Sequence, residues 1–447
     1  MSVWTIIVVI LMLGLLVTIH ELGHYWTATL LKIKAFEVSI FVGPKLIKWK
    51  NKKGVDFSIR CIPFGAYVMF SELDDNGNPV ESDDPQLLVN QPRFKRLLVS
   101  LAGPFMNILL GILIFAGLNC AIGFSSLDIA KAPENSQLYE QQYTPGDTIM
   151  EVNGHKVFTQ LDYYYEGEIA SSQLEPLTLT LKSKENGNIY NVTLTPEIGQ
   201  RPMIGITAVT DCNNKYNSWE IVSVDKNQNG GQPVLKEGDY LVSVDGKNTC
   251  DEDFNEFLAT RNEGDTMKLK YIRNGETFEA DCIKTMITYA NPRGVYLVGY
   301  QVNSVDKFFR ALGYAAKMPL TVTNVSVKSI RDVFVGKEKV YNMVSGPVGV
   351  TTAVSDVVDD VDDSVEDKII SVFMLSGYIS IGLAFTNLLP IPGLDGVQII
   401  LIIAEMIIGR HLSKKTENII NAVGFVLLIA LVLFALASDV IRIFVGG

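Results

Sequence analysis

Four long uncharged stretches constrain this chain more than any other feature. Val3 to Ile19 carries no charge and continues, less apolar, to Leu31. Leu97 to Phe124 and Ile419 to Ala437 are uncharged throughout. Ile369 to Ile408 is apolar apart from Asp395 and Glu405, and Pro390, Pro392 and Gly393 interrupt it. A bilayer core ~30 Å thick takes about 20 apolar residues of helix. The expected architecture is a polytopic α-helical membrane protein with four transmembrane segments, within 1–32, 97–124, 369–409 and 419–447. The first stretch lacks the basic start of a cleaved leader and ends in His-Glu.

Basic residues orient these segments. The region 33–96 is rich in Lys and Arg, and the turn 410–418 adds Arg410, Lys414 and Lys415. No basic residue precedes Lys32, and only Arg442 follows the last segment. The positive-inside rule puts both basic loops in the cytoplasm, and both termini and residues 125–368 outside. A net charge of −11 argues against a nucleic-acid partner. The five cysteines (Cys61, Cys120, Cys212, Cys250, Cys282) are odd in number and lack a C-x-x-C pair, so neither a disulfide framework nor a thiolate metal site is expected.

The outer region repeats itself. Pro145-Gly-Asp-Thr-Ile-Met-Glu-Val-Asn-Gly154 parallels Glu237-Gly-Asp-Tyr-Leu-Val-Ser-Val-Asp-Gly246, each a turn, an alternating strand and a second turn. Ile204-Gly-Ile and Val298-Gly-Tyr follow at nearly the same offset. Two β-rich modules are expected, 125–212 and 213–303. Their Gly-Asp-x-Ile-x-x-x-Asn-Gly pattern resembles bacterial PDZ domains, which accept peptide and protein C-termini by adding a strand to a sheet edge. Two unrelated hairpins would explain the turns but not the shared second landmark. In the connector 304–368, Asn303 to Gly336 reads as amphipathic, to lie on the outer membrane surface or pack on the second module. The acidic run Asp356 to Asp367 reads as solvated.

The chemistry sits in the first apolar stretch. His20-Glu21-Leu22-Gly23-His24 is H-E-x-x-H; on a helix the two imidazoles lie one turn apart and can grip one Zn²⁺, with Glu21 placed to take a proton from water. Three costly polar residues within one turn of a membrane helix mark a functional site. A catalytic zinc wants three protein ligands and one open position. His155 and His411 lie in the wrong places, so the third ligand should be an intramembrane carboxylate: Asp395 or Glu405, with Asp439 more distant. Asp395 could instead cap the helix after the proline break. Asn387, just before that break, is a second polar residue at membrane depth. The rival reading is a scaffold with PDZ modules and a structural metal, which would need a fourth ligand that the sequence does not offer.

This order of motifs, closing on Asn387-Leu-Leu-Pro-Ile-Pro-Gly-Leu-Asp-Gly396, resembles the site-2 protease family of intramembrane zinc metalloproteases, in its bacterial branch. Ala102-Gly-Pro-Phe-Met-Asn107, Ser345-Gly-Pro-Val-Gly349, Gly43-Pro-Lys-Leu46 and Pro63-Phe-Gly-Ala-Tyr-Val68 carry the likeness further, the last two in a membrane-associated β segment. The resemblance implies that His20, His24 and Asp395 bind zinc, that Glu21 is the catalytic base, and that Asn387 contacts substrate. It implies single-span membrane proteins as substrates, of the anti-sigma-factor or signal-peptide-remnant type, cut after a prior ectodomain cleavage, with membrane lipid around them. Val397 and Gln398 depart from the family's Gly-His after Asp-Gly. A membrane helix must be unwound before its backbone can be attacked, and an edge strand within 36–70, with Val55 to Cys61 the clearest alternation, would hold the extended segment. The outer modules would exclude bulky ectodomains.

Overall fold

The computed structural model describes residues 2–445 apart from 73–79, 81, 133–135, 142, 173–174, 196–197, 211, 213, 225–227, 252, 263, 291–294, 337–346, 361–363, 392 and 411–413. His411, Pro392, the start of Ser345-Gly-Pro-Val-Gly349 and the middle of the acidic run lie outside the described residues.

Among the described residues, three helices are long and apolar enough to cross a bilayer: α1 (Val3–Leu30), α2 (Arg93–Ile122) and α7 (Val365–Leu388). The interrupted stretch divides as its prolines dictate. Helix α7 ends at Leu388, and α8 (Asp395–Ile408) resumes beyond the break. The last apolar stretch lies in α9 (Lys414–Val445), a helix of 32 residues. Ser2 caps α1 by accepting the Thr5 N–H, and the Asp359 carboxylate accepts from Ser2 N and Thr5 Oγ1 at 2.9 and 3.0 Å. One acid of the supposedly solvated run therefore ties the connector to the start of α1. It follows α6 (Pro347–Val358), whose Val354 packs on Met12 and Leu16 of α1.

Between α1 and α2, β1 (Glu37–Lys50) and β2 (Asp56–Met69) fold back on themselves. Glu37 to Ile40 pairs on one side with Ala66 to Met69 and on the other with Asp56 to Ile59, whose far side meets Lys45 to Lys50. Asp56 to Ile59, the middle of Val55 to Cys61, is thus internal. The edges of the sheet are Ala66 to Met69 and Lys45 to Lys50, neither of them the stretch expected from alternation. The Glu37 carboxylate fastens the sheet, accepting from Ser58 Oγ, Arg60 and Lys45 at 2.7, 2.9 and 3.0 Å.

Outside the spans are two β modules, but they are nested rather than consecutive. The first sheet runs β16 (Leu297–Tyr300), β3 (Phe124–Ile129), β4 (Thr148–Val152), β6 (Leu177–Lys182), β7 (Ile189–Leu194). The second runs β14 (Glu276–Ile283), β13 (Thr266–Arg273), β11 (Tyr240–Val244), β10 (Trp219–Val224), β9 (Ile206–Val209). Strands β8 (Ile198–Met203) and β15 (Thr285–Ala290) pair with each other as a ribbon between them. The expected division at 212/213 is therefore displaced: Ile204 belongs to the second core, and Leu297 packs on the first. Each glycine landmark serves the other module from the one it follows in sequence. Within each module the repeated Gly-Asp turn is fixed by its aspartate: Asp147 accepts from Thr144 N at 2.9 Å, and Asp239 from Lys236 N at 2.7 Å.

Two further expectations are corrected. Cys212 and Cys250 form a disulfide, joining the segment after β9 to the one before α4 (Phe254–Ala259). Their separation of 38 residues leaves no local signature. The amphipathic segment forms α5 (Val305–Phe334), and it packs on the first module, not the second. Against α3 (Gln160–Ser172), Lys328 meets Glu166 at 2.6 Å and Thr321 Oγ1 donates to Asp162 at 2.7 Å. Its apolar side, Ala315 and Met318, joins Phe115 of α2 and Ile381 of α7.

Candidate metal centre

Helical spacing places His20 and His24 on the buried side of α1, 6% and 8% exposed, facing α2. Across the proline break, Asp395 opens α8. Leu394 takes the cap position and no side chain caps there, so the Asp395 carboxylate is not consumed by the helix end. Its Oδ2 lies 3.0 Å from His20 Nε2 and 3.5 Å from His24 Nε2, and the two Nε2 atoms are 3.3 Å apart. One ligand atom from each residue falls within 4.8 Å of the others. Oδ2 is shielded from solvent and makes no hydrogen bond. His24 Nδ1 faces the Val99 carbonyl at 2.7 Å, which fixes the proton there and leaves a lone pair on Nε2. Acceptor atoms crowded together without donors between them fit a cation, and two imidazoles with one carboxylate are the donor set of an open zinc site.

Helix α2 makes this closeness possible. Val99, Gly103 and Asn107 recur at four-residue spacing on one face of α2, opposite the histidines. A Cβ at Gly103 would fall against His24 Nε2 and within 2.7 Å of His20 Nε2. Asn107 is fully buried, with its amide 3.3 Å from His20 Nδ1. Gly396 is required in the same way: a Cβ there would strike the Leu389 carbonyl, so only glycine lets the chain after α7 fold down onto the start of α8. In the sequence, Ala102-Gly-Pro-Phe-Met-Asn107 carries a family likeness but no residue-by-residue role. The signal available was the four-residue stripe of small and polar residues in an uncharged span.

Asn387 stands near the end of α7 with its amide nitrogen 3.4 Å from both ring nitrogens of His20. The Glu21 carboxylate lies against the Val68 backbone N–H, on the edge strand of the hairpin. The remaining candidates are elsewhere. Glu405 is 1% exposed and paired with Arg96 at 2.8 Å, where it ties α8 to the start of α2. Asp439 accepts from Val348 N at 3.1 Å. His155 sits between Glu166 and Arg331 in the first module. Gln398 is exposed on α8, and Val397 is buried.

The family model described as Peptidase family M50 matches residues 8–431. The chain belongs to that family, and it is thereby a zinc metalloprotease of the site-2 type. Among its relatives is a Clostridium acetobutylicum protein described as a zinc metalloprotease, 25% identical over 99% of this chain and 98% of the relative. The regulator of sigma E protease of Haemophilus influenzae is 23% identical over 98% and 99%. The regulator of sigma-W protease RasP of Bacillus subtilis is 24% identical over 99% and 100%. Among solved structures, an aminopeptidase N family protein from Idiomarina loihiensis overlaps at a TM-score of 0.18, too low to bear on the fold.

Proposed function

We propose that the chain cleaves single-span membrane proteins within the bilayer, with His20, His24 and Asp395 as zinc ligands and Glu21 as general base. The convergence of three acceptor atoms within 4.8 Å at the buried end of a membrane helix carries this reading. Zinc bound there supplies Lewis acidity to the scissile carbonyl and to water. Glu21 takes the proton from the attacking water and delivers it to the leaving amine. An extended substrate adds to the free edge of Ala66 to Met69, which passes Glu21 at Val68. The Asn387 amide stands where it can donate to substrate backbone or to developing oxyanion charge.

The same reading has four spans, α9 being the last, and places the β modules outside a bacterial cytoplasmic membrane as PDZ-like domains. The Cys212–Cys250 disulfide supports that placement, since disulfides persist in oxidising compartments, while Cys61 on the cytoplasmic hairpin is free. Substrates of the anti-sigma-factor or signal-peptide-remnant type suit it, because the modules stand over the spans and would obstruct a bulky ectodomain. The test uses purified protein in detergent with single-span peptides, with and without chelator. Glu21→Gln should keep zinc and slow cleavage about 10²–10⁴-fold, whereas His20→Ala, His24→Ala and Asp395→Ala should lose the metal. Zinc retained at full occupancy in Asp395→Ala would sink the ligand assignment.

A further inference from the structure

We propose that Asn107 is a positioning residue for His20: its amide oxygen accepts the His20 Nδ1–H and so turns Nε2 toward Asp395. The inference rests on His20 being a metal ligand. A neutral histidine that gives Nε2 to a metal carries its proton on Nδ1, and that proton needs an acceptor. For His24 the acceptor is the Val99 carbonyl at 2.7 Å. Two amides approach His20. That of Asn387 is 3.4 Å from both ring nitrogens. A group equidistant from the two lies off the in-plane direction of either, so it cannot close a straight N–H bond. The Asn107 amide approaches Nδ1 alone, its Nδ2 atom standing 3.3 Å away, from a side chain with no exposed surface.

The ring decides which pole of that amide faces it. Nδ1 is the donor, two donors cannot face each other, and Oδ1 must therefore point at the ring. With Nδ2 toward the ring, as the atoms stand, Asn107 Oδ1 is buried with no partner, so turning the amide over gives up no bond to Oδ1. The backbone is held as well: Ser380 Oγ on α7 donates to the Asn107 carbonyl at 2.9 Å. Two turns of α2 thus present one acceptor to each histidine, Val99 to His24 and Asn107 to His20, with Gly103 between them to let the helices close. Both imidazoles are oriented from a helix that contributes no ligand.

The experiment measures zinc affinity of the full chain in detergent by chelator competition, with helix content recorded alongside. Asn107→Leu should weaken zinc binding about 10–100-fold at unchanged helicity. Asn107→Asp keeps an acceptor toward Nδ1 and should bind zinc like the parent. Parental affinity in Asn107→Leu overturns the proposal, and so does an equal loss in both variants, which would report packing and not an acceptor. If Asn107→Leu does not fold, Asn107→Asp decides alone: a loss of about tenfold or more overturns it. His20→Ala separates the two levels. Zinc retained in that variant sinks the ligand reading itself, whereas zinc lost there but kept in Asn107→Leu sinks only the positioning role.

Discussion

Where α1 meets α2 a methyl group has nowhere to go, whereas the β modules bury rows of leucine, isoleucine and valine that could each be trimmed. The seam is set by Gly23, whose Cβ would lie 2.5 Å from the Ala102 carbonyl, by Gly103 against both imidazoles, and by a few polar side chains with one partner apiece. In lipid there is no hydrophobic drive between helices, so close approach and hydrogen bonds do the joining. The first module, by contrast, closes on Ile129, Ile149, Leu177, Leu179, Leu181 and Leu194, and the second on Ile221, Leu241, Met267 and Leu269. Their stability is spread over many burials of about 1.5–3 kcal/mol each. The difference teaches where damage becomes functional: in the seam one atom disturbs the chemistry, and in the modules it lowers stability first.

Gly103→Ala gives the sharpest test. Its Cβ would displace the histidines, and a misplacement of that order costs about 10²-fold in cleavage rate. Cleavage of a short-ectodomain substrate at the parental rate would break the comparison. Leu179→Ala, fully buried in the first module, should cost about 2–5 kcal/mol in module stability while zinc content stays at the parental level; denaturant titration and metal analysis on one preparation read both. Replacing Cys212 and Cys250 together by Ser should remove about 2–4 kcal/mol from the second module, again with zinc unchanged. Burial pushes the Cys282 thiol up to about 11 from an ordinary value near 9. The unfolded chain therefore ionises first, and the stabilisation is present below pH 9 and lost as pH rises toward 11. The second module should lose about 1 kcal/mol between pH 8 and pH 10, and Cys282→Ala should flatten that slope.

Sequence showed the seam's chemistry better than its carpentry. His20, Glu21 and His24 stand out because charge and imidazole are costly in an apolar run, and Asp395 because prolines advertise the broken span. Val99 and Asn107 do not stand out, since their role is a bond to another helix that local spacing cannot express. Glu405 could be seen as an acid in an apolar helix, but its partner Arg96 is 309 residues away. The repeat was legible, and the nesting was not. Ile204-Gly-Ile and Val298-Gly-Tyr lie close in sequence to one module and pair in space with the other, so offset counting divides the chain in the wrong place. Amphipathicity located α5 correctly and offered the wrong partners, because a polar face matches any polar surface until Asp162 and Glu166 of the first module are seen beneath it.

Nesting also sets an order of assembly. As the chain is made, β3, β4, β6 and β7 emerge first, but their sheet lacks β16 until about a hundred more residues have followed. At elongation speeds of roughly 5–20 residues per second, that gap lasts on the order of ten seconds. The inserted module has all its strands before its host does, and it departs and returns through the paired β8–β15 ribbon. The host sheet closes only when β16 arrives, and the next helix made is α5, which packs at once on that sheet's α3 and on α2. Both β modules are therefore complete as α7 begins to be synthesised, so the segment leading to Asn387 and Asp395 joins a chain whose β part is already built.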